Sequence, residues 1–319
     1  MIHVVVTCTS RKGLKPRWEF LARNLRGGGV DRRCETWTRL LDLAAPGTLA
    51  AEDLYQGSLW QASRRLVTLG ARTTLWVCSA GYGLIRPTSM LHAYGATFSF
   101  GEEDSVCSSV DEAAAWWNGL GRWAGPETGQ PRTIEELVRA KPTDSYVLVL
   151  SEPYLRAVTK DVRSAAVALS NSDRLVVVCA GARGHHGLGE FLLPADARWQ
   201  TKFGGPRHVL NAKIAEWLLS TVGSGPLSRT ALADAALEVA NTLESLPVWN
   251  RMPLTDEDVR AFIRGALAAD GKATKSRLLR RLRDSGRACE QGRFGGLFEE
   301  ARCDGEPKTR RAIRPAKLK

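Results

Sequence analysis

The sequence has no hydrophobic run as long as a membrane span requires, which is about 18 residues. Its longest apolar stretches, Tyr146–Leu150 and Leu175–Ala180, have the length of single strands. The N-terminus also lacks the charged region, apolar stretch and cleavage site of a signal peptide, because Met1 is followed directly by a strand-like run. We therefore expect a cytoplasmic protein without a membrane partner.

Paired cysteines are also missing. The seven cysteines are an odd number and stand far apart, at positions 8, 34, 78, 107, 179, 289 and 303. Disulfide-stabilised secreted domains are short and carry even sets of cysteines. We therefore expect reduced thiols throughout.

Acidic residues are scarce near the C-terminus, where basic residues are abundant. From Gly271 to Lys319 there are 15 Lys and Arg against 6 Asp and Glu, so about +9 of the net charge of +11 lies in this segment. Concentrated cations neutralise phosphates and release counterions, which is typical of nucleic-acid binding. A solvated or disordered basic tail explains Lys308–Lys319 equally well.

Hydrophobic patterning predicts the fold class. Four apolar, β-branched runs indicate buried strands at Ile2–Thr7, Thr74–Ser79, Ser145–Ser151 and Arg174–Ala180. Helical periodicity is found at Arg17–Asn24, Leu59–Leu69, Ser109–Trp123, Thr133–Ala140, Glu152–Ser170 and Val209–Thr221. This alternation predicts an α/β fold with a mainly parallel sheet and flanking helices.

A change in pattern near Gly225 predicts a domain boundary. After the Gly223–Pro226 stretch the strand signals stop, and helices are expected at Ser228–Leu243, Thr255–Ala269 and Thr274–Ser285. We expect a catalytic α/β domain over residues 1–224, a basic helical domain over 225–304 and a disordered tail over 305–319. One helix of the second domain has exposed positions for contacts with a nucleic-acid backbone, namely Lys275, Arg277, Arg280, Arg281 and Arg283.

The first motif that suggests chemistry is Thr7-Cys8-Thr9-Ser10-Arg11-Lys12, directly after the first strand. Ligands of open α/β sheets bind at the carboxyl ends of strands, so this motif is expected at the mouth of a site. Neighbouring cations favour the reactive thiolate form of a cysteine. The alternative interpretation is that Cys8 is simply a core residue that ends a buried strand.

Two further motifs follow along the chain. Glu52–Trp60 combines polar groups with aromatics and leads into a helix, where Ser58 is either a ligand contact or a helix cap. Cys78–Ile85 contains the Ser-Ala-Gly-Tyr-Gly turn, whose glycines allow close approach of a ligand. Tyr94 and the segment Thr97–Val106 come next.

Together these segments resemble the YaaA-like superfamily, whose members carry Cys-Ser-x-x-Lys after the first strand, then Leu-Tyr-x-Ser, then Ser-Ala-x-Tyr-Gly-Leu and a further Tyr. The resemblance covers about residues 2–106. It is greatest to the DpdC family, from gene clusters that place 7-deazaguanine derivatives in bacterial DNA. The segments that carry it are Cys8–Lys12, Leu54–Gly57, Cys78–Ile85, Ala96–Ser99 and Asn211–Ile214.

Archaeosine synthases offer a second, partial similarity through their Cys-Ser-x-x-Lys-Pro-Tyr-x-x-Ser motif. Cys8 and Lys12 match it, whereas Tyr55 and Ser58 come much later in this chain. These two residues can join Cys8 only through the fold.

The resemblance implies hydration of a nitrile, that of 7-cyano-7-deazaguanine in DNA, to the 7-amido form. The partners it implies are DNA carrying the modified guanine and other proteins of the modification system. Metal-dependent nitrile hydratases need closely clustered cysteines, which this sequence lacks. We therefore expect neither a metal nor a cofactor.

Under this hypothesis the catalytic candidates are Cys8, Lys12, Asp53 and Tyr82. Cys8 acts as the nucleophile, or Asp53 activates water instead. Tyr82 or Tyr55 donates to the nitrile nitrogen. The substrate-binding candidates are Thr9, Ser10, Arg11, Tyr55, Ser58, Trp60, Ser79, Gly81, Gly83 and Tyr94. Each aromatic or turn residue also has a purely structural interpretation.

Three alternatives stay open on the sequence alone. The first is a non-catalytic DNA-binding stress protein of the YaaA type. The second is an enzyme acting on nucleoside glycosidic bonds, for which Asp53 and Asp104 are the nearby carboxylates. The third concerns a single motif, His185-His186 after the fourth strand, as a phosphate-binding loop.

Overall fold

The chain is described by a computed structural model. It covers residues 1–305 except 26, 45–46, 48, 70–71, 183–186, 224 and 247–249. His185, His186 and nearly all of the expected tail lie outside the described residues. The chain divides into two compact units, residues 1–246 and 247–319.

The first unit is built on a five-stranded sheet. Its strands are β1 (Ile2–Thr7), β3 (Thr73–Ser79), β4 (Gly83–Ile85), β6 (Ser145–Val149) and β7 (Leu175–Val178), in the spatial order β4-β3-β1-β6-β7. All neighbours are parallel except β3 and β4. A two-stranded pair, β2 (Leu49–Ala50) and β5 (Met90–Leu91), lies apart from this sheet. The expected α/β class with a mainly parallel sheet is therefore confirmed.

Burial explains why the strand predictions agree with the structure. Val4, Val5 and Val6 of β1 are fully buried, and Val4 lies opposite Leu75 on one side and Val147 on the other. A central strand covered on both faces requires a continuous apolar run, which is what the sequence supplies.

Helices flank the sheet in two groups. The helices α1 (Val30–Leu43), α4 (Val110–Arg122), α5 (Ile134–Ala140) and α6 (Glu152–Ala168) pack on one another. The second group contains α3 (Ser58–Arg65), α7 (Trp199–Phe203), α8 (Leu210–Val222) and α9 (Arg229–Thr242). The short helix α2 (Ala51–Leu54) precedes α3. Ser109 and Thr133 cap α4 and α5 by accepting from the backbone N–H three residues on.

The helix expected at Arg17–Asn24 is absent. Two single 3₁₀ turns stand there, Trp18–Phe20 and Ala22–Asn24, separated by Leu21 in an extended conformation. Backbone bonds to Gly95 hold this segment, because Ala22 N–H donates to Gly95 O and Gly95 N–H donates to Phe20 O. A tertiary contact therefore overrides the local periodicity.

The boundary between the units lies after Leu246 and not near Gly225. Helix α9 belongs to the first unit because Leu232 and Ala236 are buried in its core. The Asp173 carboxylate also accepts from the N–H and hydroxyl of Thr230. The glycine-rich stretch is therefore a loop within the α/β unit.

The second unit is a small helical bundle with its own core. Its helices are α10 (Asp256–Ala269), α11 (Lys275–Asp284) and α12 (Gln291–Gly305), and two short strands, β8 (Met252–Pro253) and β9 (Arg287–Ala288), pair in parallel. Val259, Ile263, Leu282 and Phe294 are fully buried. Thr255 and Asp258 form a capping box at the start of α10.

Candidate active site

A cavity opens where the strand order of the sheet reverses. After β1 the chain adds β3 and β4 on one side of it and then β6 and β7 on the other, and open α/β sheets bind ligands at such a switch point. The cavity measures about 740 Å³. Its lining comprises residues 7–11, residues 56–59, Ala96, Thr97, Ser99, Glu102, Ser151, Glu152, Tyr154, Ala180, Gly181, Ala197, Arg207, His208, Leu210 and Asn211.

The end of β1 supplies the thiol of the cavity. Cys8 continues the strand, since its N–H donates to Cys78 O at 3.0 Å, and 5% of the residue is exposed. Its Sγ lies 3.2 Å from the phenol oxygen of Tyr154 on α6. Burial raises the pKa of Tyr154 well above its ordinary value, and a thiolate at Cys8 raises it further. The phenol is therefore protonated at neutral pH and available as a donor.

Lys12 lies among aromatic rings. Its Nζ stands 4.0 Å from the centre of the Tyr94 ring and donates to Thr9 O at 3.1 Å. Burial lowers the pKa of Lys12, and the Cys8 thiolate partly offsets this by favouring the ammonium. Lys12 does not line the cavity. Its position suits electrostatic compensation of a thiolate and not contact with a substrate.

Three residues expected to bind substrate form a buried hydrogen-bonded chain instead. The Tyr94 phenol bonds the Tyr55 phenol at 2.9 Å and the Ser79 hydroxyl at 2.7 Å, and all three residues are buried. Burial raises the pKa of both phenols well above its ordinary value. The structure thus brings Tyr55 close to Cys8 and Lys12, as the motif order requires, yet it places the hydroxyls away from the cavity lining.

The glycine turn after β3 has a structural role, because its polar groups bond one another. The N–H groups of Gly81 and Tyr82 both donate to Ser79 Oγ, at 3.2 and 3.1 Å, so neither is available to a substrate. A Cβ on Gly81 would lie 2.5 Å from the Tyr94 ring, and Gly83 has a φ of 72°. The Tyr82 phenol accepts from His92 N–H. The expected catalytic role of Tyr82 and the ligand roles of both glycines find no support in this geometry.

The carboxylates suggested by the sequence do not reach the cavity. Asp53 is exposed on α2, and Asp104 forms an ion pair with Arg23 at 3.1 Å. Trp60 is buried against Tyr55 and donates to Glu52 O, so it does not stack on a ligand in this arrangement. Water activation by Asp53 and glycosidic chemistry at either aspartate therefore both lack a suitably placed group.

Three residues that follow β6 and β7, and that were not predicted as site residues, also belong to the site. Tyr154, Glu152 and Asn211 line the cavity, and Asn211 ties the two strand ends together by donating to Leu150 O and accepting from Ala180 N–H. Tyr154 and Glu152 follow from the rule that ligands bind at the carboxyl ends of strands next to a switch point. The rule has to be applied to every strand end and not only to those that carry a family motif.

The basic helix α11 retains only part of its expected binding set. Lys275 lies 3.8 Å from Glu299, Arg277 lies 3.5 Å from Asp270, and Arg283 donates to Cys289 O. Arg280 and Arg281 are exposed and have no side-chain partner within the described residues. These two arginines are therefore the best placed of the five for a phosphate backbone.

No protein-family model, no curated protein and no solved structure matches the chain. In the described part of the chain, no three His, Cys, Asp or Glu side chains come together as a metal site requires. Every cysteine whose side chain the structure describes is a buried free thiol. None of the described helices is both long and apolar enough to span a membrane.

Proposed function

We propose that the protein is a cysteine-dependent enzyme that hydrates the nitrile of a 7-cyano-7-deazaguanine base in DNA to the 7-amido form. The observation that carries the proposal is the position of Cys8, whose thiol lines the switch-point cavity 3.2 Å from the Tyr154 phenol. Addition to a nitrile needs a nucleophile in line with the carbon and a proton donor at the nitrogen. Cys8 supplies the nucleophile and Tyr154 the proton donor, and both line the same cavity.

The proposed reaction begins with the Cys8 thiolate. Its sulfur forms a bond to the nitrile carbon as one carbon–nitrogen π bond breaks, and the nitrogen takes the Tyr154 proton. Water then adds across the C=N bond of the resulting thioimidate. When the carbon–sulfur bond breaks, its electron pair returns to sulfur and the hydroxyl proton returns to the Tyr154 phenolate. The amide leaves, and both side chains are restored.

The cavity suits a guanine-type base in size and chemistry. Its volume of about 740 Å³ lies within the range of about 300–1,000 Å³ that is usual for ligand sites. Glu102 and Glu152 present carboxylates to it, and carboxylates accept from the ring N–H and amino group of guanine. A base in a duplex has to be flipped out to enter, and a single strand avoids that cost.

The test is incubation of the purified protein with DNA that contains 7-cyano-7-deazaguanine, followed by mass spectrometry of the released nucleosides. We expect the 7-amido nucleoside from the wild-type protein and none from Cys8→Ser. Cys289→Ser, which changes a buried thiol of the other unit, is the matched control and should keep the activity. Unchanged DNA after treatment with the folded wild-type protein refutes the proposal.

A non-catalytic DNA-binding function is the second candidate, favoured by the unpaired Arg280 and Arg281 on α11. Under it, Cys8→Ser binds DNA as the wild type does, and neither protein alters the modified base. The two candidates are therefore separated by the same nucleoside analysis.

A further inference from the structure

One side of the cavity mouth carries three basic side chains and a hydroxyl. Arg11, Ser58, Arg207 and His208, here called the cationic rim, all line the cavity that Cys8 lines. All four are solvent-exposed. They come from three separate parts of the chain, which are the end of β1, the start of α3 and the turn before α8.

Contacts between neighbouring side chains join these residues into one continuous edge. The Arg11 side chain lies against Gly57, since its Cδ would be 3.4 Å from a Cβ there. Ser58 follows Gly57, and its hydroxyl bonds His208 Nε2 at 2.8 Å. Arg207 precedes His208. The two arginines therefore belong to one continuous set of neighbouring residues that lines the cavity.

The charges of the two rim arginines have no acidic partner within the described residues. Neither the Arg11 nor the Arg207 side chain has an ion pair or hydrogen bond within the described residues. Of the two lining carboxylates, Glu152 lies 3.9 Å from Arg156, which stands over the Phe100 ring, so Glu152 already has a basic partner.

We propose that the cationic rim is a phosphate subsite, which binds the DNA backbone phosphate beside the base that enters the cavity. The inference rests on the proposed function and specifies its substrate as a nucleotide unit within a polymer. Guanidinium groups bind phosphate oxygens through two parallel N–H donors, and the Ser58 hydroxyl adds a further donor. A free nucleoside lacks the group that this rim recognises.

The test compares the binding of deoxyguanosine, its 5′-monophosphate and a short single strand with one guanine, by calorimetry at fixed salt. We expect the monophosphate to bind at least about tenfold more tightly than the nucleoside, which is the usual gain from charge-assisted hydrogen bonds. Arg11→Ala and Arg207→Ala should each reduce that ratio several-fold. Arg39→Ala, an exposed arginine on α1 that does not line the cavity, should leave it unchanged.

Each outcome decides a separate point. Equal affinity for nucleoside and monophosphate, or no binding of the monophosphate, overturns the subsite. A single strand that binds less tightly than the monophosphate refutes the polymer as its source and favours free nucleotides. Cys8→Ser should keep the preference for phosphate. In the wild-type protein, a phosphate preference without nitrile conversion therefore counts against the proposed reaction alone, and nitrile conversion without a phosphate preference counts against the rim alone.

Discussion

Replacing Tyr154 with Phe is the sharpest test of the site, because it removes one oxygen and leaves the ring. The ring packs edge-on against Phe98 with centres 5.1 Å apart, so the variant should keep its packing. What it loses is the 3.2 Å hydrogen bond to Cys8 Sγ. Both side chains are largely buried, with 5% of Cys8 and 6% of Tyr154 exposed.

The expected size of the effect follows from the charge on the thiolate. A hydrogen bond to a charged group stabilises it by about 1.5–3 kcal/mol, and each 1.36 kcal/mol corresponds to about a tenfold change in rate. Without the phenol, the rate of alkylation of Cys8 by iodoacetamide at neutral pH should therefore fall by about 10- to 100-fold. Lys12, whose charge interacts with that of a Cys8 thiolate, remains in place and limits the loss.

The assay follows the Cys8 peptide by mass spectrometry over a time course at fixed pH, which separates it from the other buried thiols. Tyr146→Phe is the matched control, because that buried phenol donates to Lys141 O at 2.8 Å, away from the cavity. The control should leave the alkylation rate of Cys8 unchanged. An unchanged rate in Tyr154→Phe would show that the phenol does not act on the sulfur, and the proposed proton donor would be wrong.

Two further predictions concern stability and DNA binding. Burial raises the pKa of Asp161 to about 6 from 3.8, so its protonated form stabilises the fold below about pH 4, and that contribution is lost as pH rises through 6. Urea titrations measure the unfolding free energy of the wild type and of Asp161→Asn at each pH. The wild-type value minus the variant value should fall by about 3 kcal/mol between pH 4 and pH 6. A difference that does not change with pH would contradict this prediction. Replacing Arg280 and Arg281 with Ala should lower the slope of log affinity for DNA against log salt by about 2, whereas Arg277→Ala, whose side chain is paired with Asp270, should change it less. Equal slopes in all variants would mean that α11 does not contact the backbone.

Four of the five strands of the sheet could be predicted from the sequence, because a strand that is buried on both faces has to be almost entirely apolar. The valines of β1 and β7 are all buried, so each run indicates a buried strand directly. The short strand β4, which follows the glycine turn, was not predicted. The segment at Arg17–Asn24 could not be predicted in this way. Its conformation depends on backbone bonds to Gly95, more than 70 residues later in the sequence, and nothing local encodes them.

The same limit of local sequence information applies to the candidate site. Cys8, Arg11 and Ser58 were predicted at a strand end or helix start and do line the cavity, because chain direction alone places them at that edge of the sheet. Ser79, Tyr55 and Tyr94 were predicted from the same motifs, yet they satisfy one another. A motif indicates which residues lie close together in the fold. It does not indicate whether their polar atoms bond one another or a ligand, because that depends on which hydrogen-bond partners the fold supplies.

That distinction changes how the thiol site is best understood. If the tyrosine chain were part of the substrate surface, each phenol would need an unsatisfied position toward the cavity, whereas Tyr94 already bonds two hydroxyls and has Lys12 over its ring. The hydrogen-bonded tyrosines instead hold the ring over which Lys12 lies, and the charge of Lys12 interacts with that of a Cys8 thiolate. The cavity lining beside Cys8 then comes from the other strand ends as well, and it includes Tyr154, which is absent from every motif and lies 3.2 Å from the Cys8 sulfur.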